Sequence, residues 1–242
     1  KGDFIISPKI SKLFSEMIAI WIISTWQILG KPKNLNLVEL GPGDGSMIKD
    51  MLSVFKKFPE FNLSKKIFLY EKSNFLKKMQ KKNISSNEVN WLNSLKNIRN
   101  GPVVFFGNEF FDAIPIKQFK IINGKLFEKY YTLKNDDKIE EVFKKATKKD
   151  TVDIMSYKSL RKLNFIEYPK EGFVELKKII KKISKHTGCL LIIDYGYLRS
   201  LNKNTYQSVL KHRKNSLLNN LGKADITSLV NFELLNEFFI KN

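Results

Sequence analysis

The sequence predicts an α/β protein with a Rossmann-like parallel sheet, helices on both faces, and a β-rich segment inserted between two of the strands. Three observations predict it. A short apolar run, Leu35–Leu40, meets the loop Gly41-Pro42-Gly43-Asp44-Gly45, after which Ile48, Met51, Leu52 and Phe55 recur at helical spacing. That strand–loop–helix order opens a doubly wound fold. Two further runs, 102–106 and 189–193, are dominated by apolar residues, as expected of strands buried on both faces of a parallel sheet. Between them the pattern loosens over 119–142 around Asn123-Gly124, a strong hairpin turn signal.

The remaining elements follow in order. Ser7-Pro8 reads as a helix start, serine at the N-cap and proline in the first turn. Ile10, Leu13, Phe14, Met17, Ile18 and Trp21 follow at helical spacing and predict one buried face. Gly30-Lys31-Pro32 ends that helix. Residues 66–70 give a second strand, Phe75, Leu76 and Met79 sit on the next helix, and 89–92 give a third strand. A lysine-rich helix over 174–185 keeps an apolar stripe at Leu176, Ile179, Ile180 and Ile183, so its lysines form a wet face. The expected organisation is an N-terminal helical segment, 1–34, a Rossmann-like domain, 35–116 and 186–242, and an inserted substrate-recognition region, 117–185.

Composition narrows the class. In 242 residues, 43% hydrophobic and 12% aromatic content is enough for a real core and excludes disorder. The net charge of +19 would suit a nucleic-acid partner. Only Arg99, Arg161, Arg199 and Arg213 are arginines, however, and lysine accompanied by abundant Asn and Ile suggests compositional drift. A dedicated nucleic-acid face more often uses arginine for bidentate contacts, so the balance argues against a nucleic-acid partner. Cys189 is the single cysteine and cannot form an internal disulfide, and His186 and His212 show no metal spacing. No metal is expected. The most apolar run, 17–23, is too short to span a bilayer, and no secretory signal is visible.

The chemistry concentrates at strand ends. The G-x-G-x-G loop of Gly41, Gly43 and Gly45 lets a ligand approach the backbone, and its spacing departs from the dinucleotide G-x-G-x-x-G. Glu39, two residues before Gly41, would repel a pyrophosphate but suits S-adenosylmethionine, which carries an ammonium and a sulfonium and no phosphate. Glu71 closes the second strand, where an acid can accept hydrogen bonds from both ribose hydroxyls. After the third strand, Ser94 and Leu95 offer a polar group and an apolar flank for adenine, and Trp91 reads equally as flank or core. Asn108-Glu109-Phe110-Phe111-Asp112-Ala113-Ile114-Pro115 follows the fourth strand, and Asp194-Tyr195-Gly196-Tyr197 the fifth. Asn108, Glu109 and Asp112 could orient a methyl-accepting nitrogen or take up charge, and the proton acceptor is one of Glu109, Asp112 and Asp194.

With these motifs, together with Gly2-Asp3-Phe4, Ser7-Pro8, Ile10-Ser11 and Gly222-Lys223-Ala224-Asp225-Ile226-Thr227, the chain resembles the MidA-type methyltransferases. Their mitochondrial member is a complex I assembly factor that methylates an arginine of a core subunit. The resemblance implies a class I S-adenosylmethionine-dependent methyltransferase fold and transfer to arginine of a protein substrate, a respiratory complex I subunit among the candidates. It implies cofactor contacts at Gly41, Gly43 and Gly45, and an active-site mouth at Asn108, Glu109 and Asp112. The implied location is the bacterial cytoplasm or, in a eukaryote, the mitochondrial matrix. Lys9 stands where the family usually has glutamate, and Asp44 where many members have arginine. The family continues past a segment like 231–239, so the chain is expected to be cut short at its C-terminus. Three other readings stand beside this one: an assembly chaperone of the same fold without turnover, a nicotinamide-dependent oxidoreductase, and an RNA methyltransferase. No oligomeric state follows from the sequence.

Overall fold

The computed structural model describes residues 12–134, 138–211 and 213–242. The motifs at Gly2-Asp3-Phe4, Ser7-Pro8, Lys9 and Ile10-Ser11 lie outside the described residues. The chain divides into two compact units, one containing 12–110 and 178–194, the other 111–177 and 195–242.

Along the chain, α1 (Lys12–Ile28), β1 (Leu35–Leu40), α2 (Ser46–Phe55), α3 (Pro59–Ser64), β2 (Lys65–Tyr70), α4 (Asn74–Ile84), β3 (Val89–Leu92) and β4 (Val103–Asn108) come first. Then follow β5 (Lys117–Ile122), β6 (Lys125–Leu133), β7 (Ile139–Lys145), α5 (Lys148–Met155), β8 (Phe165–Tyr168), α6 (Lys170–His186) and β9 (Gly188–Ile193). Short strands β10 (Gly196–Tyr197), β11 (Gln207–Leu210), β12 (Arg213–Lys214), β13 (Asp225–Thr227) and β14 (Val230–Asn231) precede α7 (Phe232–Lys241).

In the first unit, five parallel strands run in the order β3-β2-β1-β4-β9. Every residue of β1 and β4 is buried, which requires cover on both faces and explains their near-continuous apolar sequences. Leu35 and Leu37 of β1, Ile67 and Leu69 of β2, and Val104 and Phe106 of β4 share one core cluster with Phe55, Phe61 and α1. Each such fully buried side chain contributes about 1.5–3 kcal/mol relative to exposure.

The face of α1 that packs differs from the one its spacing predicts. Ser15, Ala19, Ile22, Ile23 and Trp26 are buried, with Phe14 and Ile18 partly so, while Leu13 and Met17 are each 63% exposed and Trp21 also points outward. The polar residues Lys12, Ser15, Glu16, Ser24, Thr25 and Gln27 are dispersed around the helix and form no single polar face to fix its rotation, so tertiary packing chooses the stripe. Gly30 and Lys31 end the helix in left-handed conformations, and Trp26 Nε1 donates to Pro32 O at 3.0 Å.

In the second unit, β7-β6-β5-β8 form an antiparallel sheet. Asn123 and Gly124 join β5 to β6 with φ of 49° and 71°, the paired positive values that a two-residue hairpin turn needs. Buried Glu167 on β8 accepts hydrogen bonds from Gln118 Nε2 at 2.8 Å and from Thr205 N at 2.9 Å, which ties the 204–205 segment to this sheet. Phe173 of α6 stacks on Phe238 of α7 with ring centroids 4.1 Å apart.

Candidate active site

Strand alternation decides which side chains meet at the carboxyl end of the parallel sheet. Successive side chains of a strand point to opposite faces, so the next positions after Leu35-Leu37, Ile67-Leu69 and Val104-Phe106 on the same face are Glu39, Glu71 and Asn108. Glu39 pairs with Leu69 on one side and Phe106 on the other, and one step further Gly41 falls level with Glu71 and Asn108. Strand order reverses between β1 and β4, the switch point at which open α/β sheets bind ligands.

Two acceptors at this point have no partner among the described residues. Glu39 is 2% exposed and Asn108 8% exposed, and neither Glu39 Oε2 nor Asn108 Oδ1 has a hydrogen-bond partner among those residues. Burial, with a further push from the Asp44 carboxylate, drives the Glu39 carboxyl up to about 8. Each unsatisfied buried acceptor costs about 1–3 kcal/mol. A pair of them beside an open strand end fits a cation rich in N–H donors.

The glycine loop is shaped by the chain's own packing as well as by room for a ligand. Gly41, Gly43 and Gly45 have φ of 61°, 56° and 82°, the left-handed region that side chains disfavour. A Cβ on Gly41 would lie 2.6 Å from Phe110 Cδ2, and one on Gly45 2.9 Å from Ile84 Cδ1. Gly45 caps α2 without a side chain, and Asp44 Oδ1 takes that role by accepting Ser46 N at 3.1 Å. The acidic residue in the variable loop position therefore has a local purpose.

Glu71 is buried just past β2. Its Oε1 accepts Ser73 N at 2.7 Å and its Oε2 accepts Gln80 Nε2 at 3.3 Å, so each oxygen keeps a lone pair for a further donor. Trp91 packs against the core cluster, and its Nε1 donates to Gln80 Oε1 at 2.9 Å, which makes it core. Ser94 Oγ accepts Lys96 N at 3.3 Å, and Leu95 is buried. Both line a cavity of about 540 Å³ with Tyr70 and with Lys178, Lys181, Lys182 and Lys185 of α6. Burial and the charges of Lys185 and Arg99 lower the Lys182 ammonium below its ordinary value, and its Nζ donates to Ile98 O at 3.0 Å.

The acceptor-side residues divide between the two units. In the first, Asn108 pairs with Ile193 across β4 and β9, which places Asn108, Glu109 and Asp194 at adjoining strand ends. Glu109 sits at φ 50°, an uncommon conformation for a non-glycine residue. Its N donates to Ile193 O at 2.8 Å, and Asn108 Nδ2 donates to its Oε1 at 3.4 Å. Asp112 lies in the second unit, half-buried, with its carbonyl accepting Ser228 N at 3.0 Å. Gln80 is a site residue that no sequence motif marks. It is fully buried and joins Glu71, Trp91 and the loop carbonyl of Gly43. The available signal was its position at i+4 between Leu76 and Ile84, a polar residue on an apolar stripe.

Residues 17–242 match the family described as "Putative S-adenosyl-L-methionine-dependent methyltransferase". The chain belongs to this methyltransferase family. Among curated relatives it is 28% identical to "Protein arginine methyltransferase NDUFAF7 homolog, mitochondrial" of Drosophila melanogaster, covering 97% of this chain and 59% of that protein. It is 30% identical to the Danio rerio NDUFAF7, covering 98% and 61%, and 26% identical to the Homo sapiens protein, covering 97% and 58%. The chain thus spans about three-fifths of the length of these relatives. The fold matches that of a candidate methyl transferase from Burkholderia thailandensis bound to S-adenosyl-homocysteine, with a TM-score of 0.80, 18% identity, and coverage of 99% of this chain and 63% of that one. The methyltransferase family and its class I α/β fold are therefore established for this chain.

Proposed function

We propose that the chain binds S-adenosylmethionine at the β1–β4 switch point and transfers its methyl group to an arginine of a partner protein. The observation that carries this reading is the pair of buried, unpartnered acceptors, Glu39 Oε2 and Asn108 Oδ1, beside a G-x-G-x-G loop. An ammonium donor satisfies both acceptors, whereas a pyrophosphate satisfies neither and meets the Glu39 carboxylate. When bound, the cofactor supplies an electrophilic methyl group on its sulfonium.

The chain's own residues have separable tasks. Glu39 and Asn108 hold the ammonium, and Gly41, Gly43 and Gly45 leave backbone room beside it. Glu71 accepts from the ribose hydroxyls through its remaining lone pairs. Ser94 and Leu95 flank the adenine. Asn108, Glu109 and Asp194 orient the guanidinium, and Glu109 or Asp194 takes its proton. Residues 117–185 recognise the substrate. The curated relatives support the arginine acceptor, being named protein arginine methyltransferases of mitochondria. By the resemblance to the MidA-type methyltransferases, the substrate is a respiratory complex I subunit where that complex is present, and the site of action is the mitochondrial matrix or the bacterial cytoplasm.

Labelled methyl transfer from S-adenosylmethionine into a cell lysate, followed by mass spectrometry of the labelled band, tests this reading. Methylarginine in a protein is the expected product. A partner captured without any methyl mark would instead favour an assembly chaperone. The lysine-lined cavity beside Ser94 favours one second reading, methylation of RNA. Label recovered in RNA, with affinity falling steeply as salt rises, would replace the protein acceptor.

A further inference from the structure

We infer that Gln80 is a positioning residue that locks the glycine loop and Glu71 into one cofactor-binding arrangement. The inference rests on the S-adenosylmethionine reading above. Gln80 is fully buried on α4, where an unpaired amide would be costly. Both of its N–H donors are used: Nε2 gives to Gly43 O at 2.8 Å and to Glu71 Oε2 at 3.3 Å. Its Oε1 accepts Trp91 Nε1 at 2.9 Å. One amide thus ties the loop after β1, the acid after β2 and the indole of β3.

The same helix holds the loop at two more points. Asn83 Nδ2 donates to Asp44 O at 3.0 Å, and Ile84 packs where a Gly45 side chain would stand. Of these contacts, only Gln80 touches both the loop and Glu71. Glutamine is the residue type this junction needs, because it donates two hydrogen bonds and accepts one from a single planar group. Leucine offers none of these bonds. Glutamate can accept from Trp91, but it places a second carboxylate against Glu71.

That conflict supplies a readout that a merely structural role would not move. In Gln80→Glu the two carboxyls must share a proton to coexist at hydrogen-bond distance. When protonated, the pair restores one donor between positions 80 and 71 but leaves Gly43 O without its partner; when fully ionised, it pushes positions 80 and 71 apart. The test is calorimetric affinity for S-adenosyl-homocysteine of the wild type, Gln80→Glu and Gln80→Leu near pH 6 and near pH 8, each variant expressed as a ratio to wild type at that pH. The Trp91 indole is followed in parallel by fluorine NMR of fluorotryptophan-labelled protein, assigned with Trp91→Phe.

Gln80→Leu is expected to lose about tenfold in affinity at both pH values, the equivalent of one net hydrogen bond or more. Gln80→Glu is expected to lose as much near pH 8 and to recover in part near pH 6, the bond to Gly43 O staying lost, with the Trp91 resonance moving over the same range. Should Gln80→Leu not fold, Gln80→Glu decides alone. Wild-type affinity in a folded Gln80→Glu at both pH values overturns the inference while leaving the cofactor reading intact. A wild type that binds no S-adenosyl-homocysteine overturns the cofactor reading itself, and this inference with it.

Discussion

Replacing Glu39 by glutamine should stabilise the cofactor-free protein and weaken its cofactor binding, two effects of opposite sign from one atom pair. Burial drives the folded-state carboxyl up to about 8 from an ordinary 4.5, with Asp44 adding to the push. Between those values the folded protein keeps a proton that the unfolded chain releases, so stability falls as pH rises through the window and levels off above it. Each pH unit within the window is worth about 1.4 kcal/mol. The ionisation penalty is therefore about 1 kcal/mol near pH 5, about 3 kcal/mol near pH 7 and about 4 kcal/mol near pH 8. Glutamine matches the shape without the titration and removes that penalty. Urea denaturation of both proteins across this range is the assay, with the gap between them opening as pH rises. Parallel pH profiles for wild type and variant would refute the claim that Glu39 is folded as a neutral, unpaired acid. The same variant should lose affinity for S-adenosyl-homocysteine, because it can no longer become the carboxylate that faces the ammonium.

Other expectations follow from single contacts. Gly188→Ala would put a Cβ 1.8 Å from Val103 O, a backbone atom that cannot step aside; thermal melts should show the β4–β9 pairing lost, a cost of about 3 kcal/mol or more. Gly41→Ala meets the Phe110 ring at 2.6 Å in a left-handed conformation, and should cost about 1–2 kcal/mol in denaturation along with cofactor affinity. In the second unit, burial opposes ionisation of Asp150, but hydrogen bonds from Lys170 at 2.5 Å and Thr147 at 2.9 Å outweigh it and hold the carboxyl below its usual value. Lys170 is partly exposed, so Lys170→Met should cost about 1–2 kcal/mol at neutral pH, a loss that fades as acid protonates Asp150; equal stability of the two proteins at neutral pH would show that the pair contributes nothing.

Much of the fold was legible because its signals are local. The apolar runs of β1 and β4 and the Asn123-Gly124 turn each appear where the residues predict them, and β9 forms over its run as well, but half-buried at the sheet edge where burial on both faces is predicted. The buried face of α1 was not legible, because apolar residues surround the helix and only its neighbours select Ala19, Ile22 and Trp26 over Met17 and Trp21. At the site, Glu39 and Asn108 could be named from sequence, but that both end with unpartnered acceptors is a fact of three-dimensional packing. In the sequence the glycines suggest space for a ligand, whereas Phe110 and Ile84 occupy the room beside Gly41 and Gly45. Gln80 escaped notice since its three partners lie on separate segments, at Gly43, Glu71 and Trp91.

A cationic amino-acid cofactor is expected to bind at the strand ends that carry Glu39 and Asn108. Calorimetric titration of the protein with S-adenosyl-homocysteine near neutral pH, in two buffers of different ionisation enthalpy, tests it most directly. Binding should be saturable, and its heat should differ between the buffers by close to one proton released, since Glu39 enters protonated and ends ionised. Absence of binding would contradict the cofactor, and binding with buffer-independent heat would contradict a protonated Glu39 in the free protein.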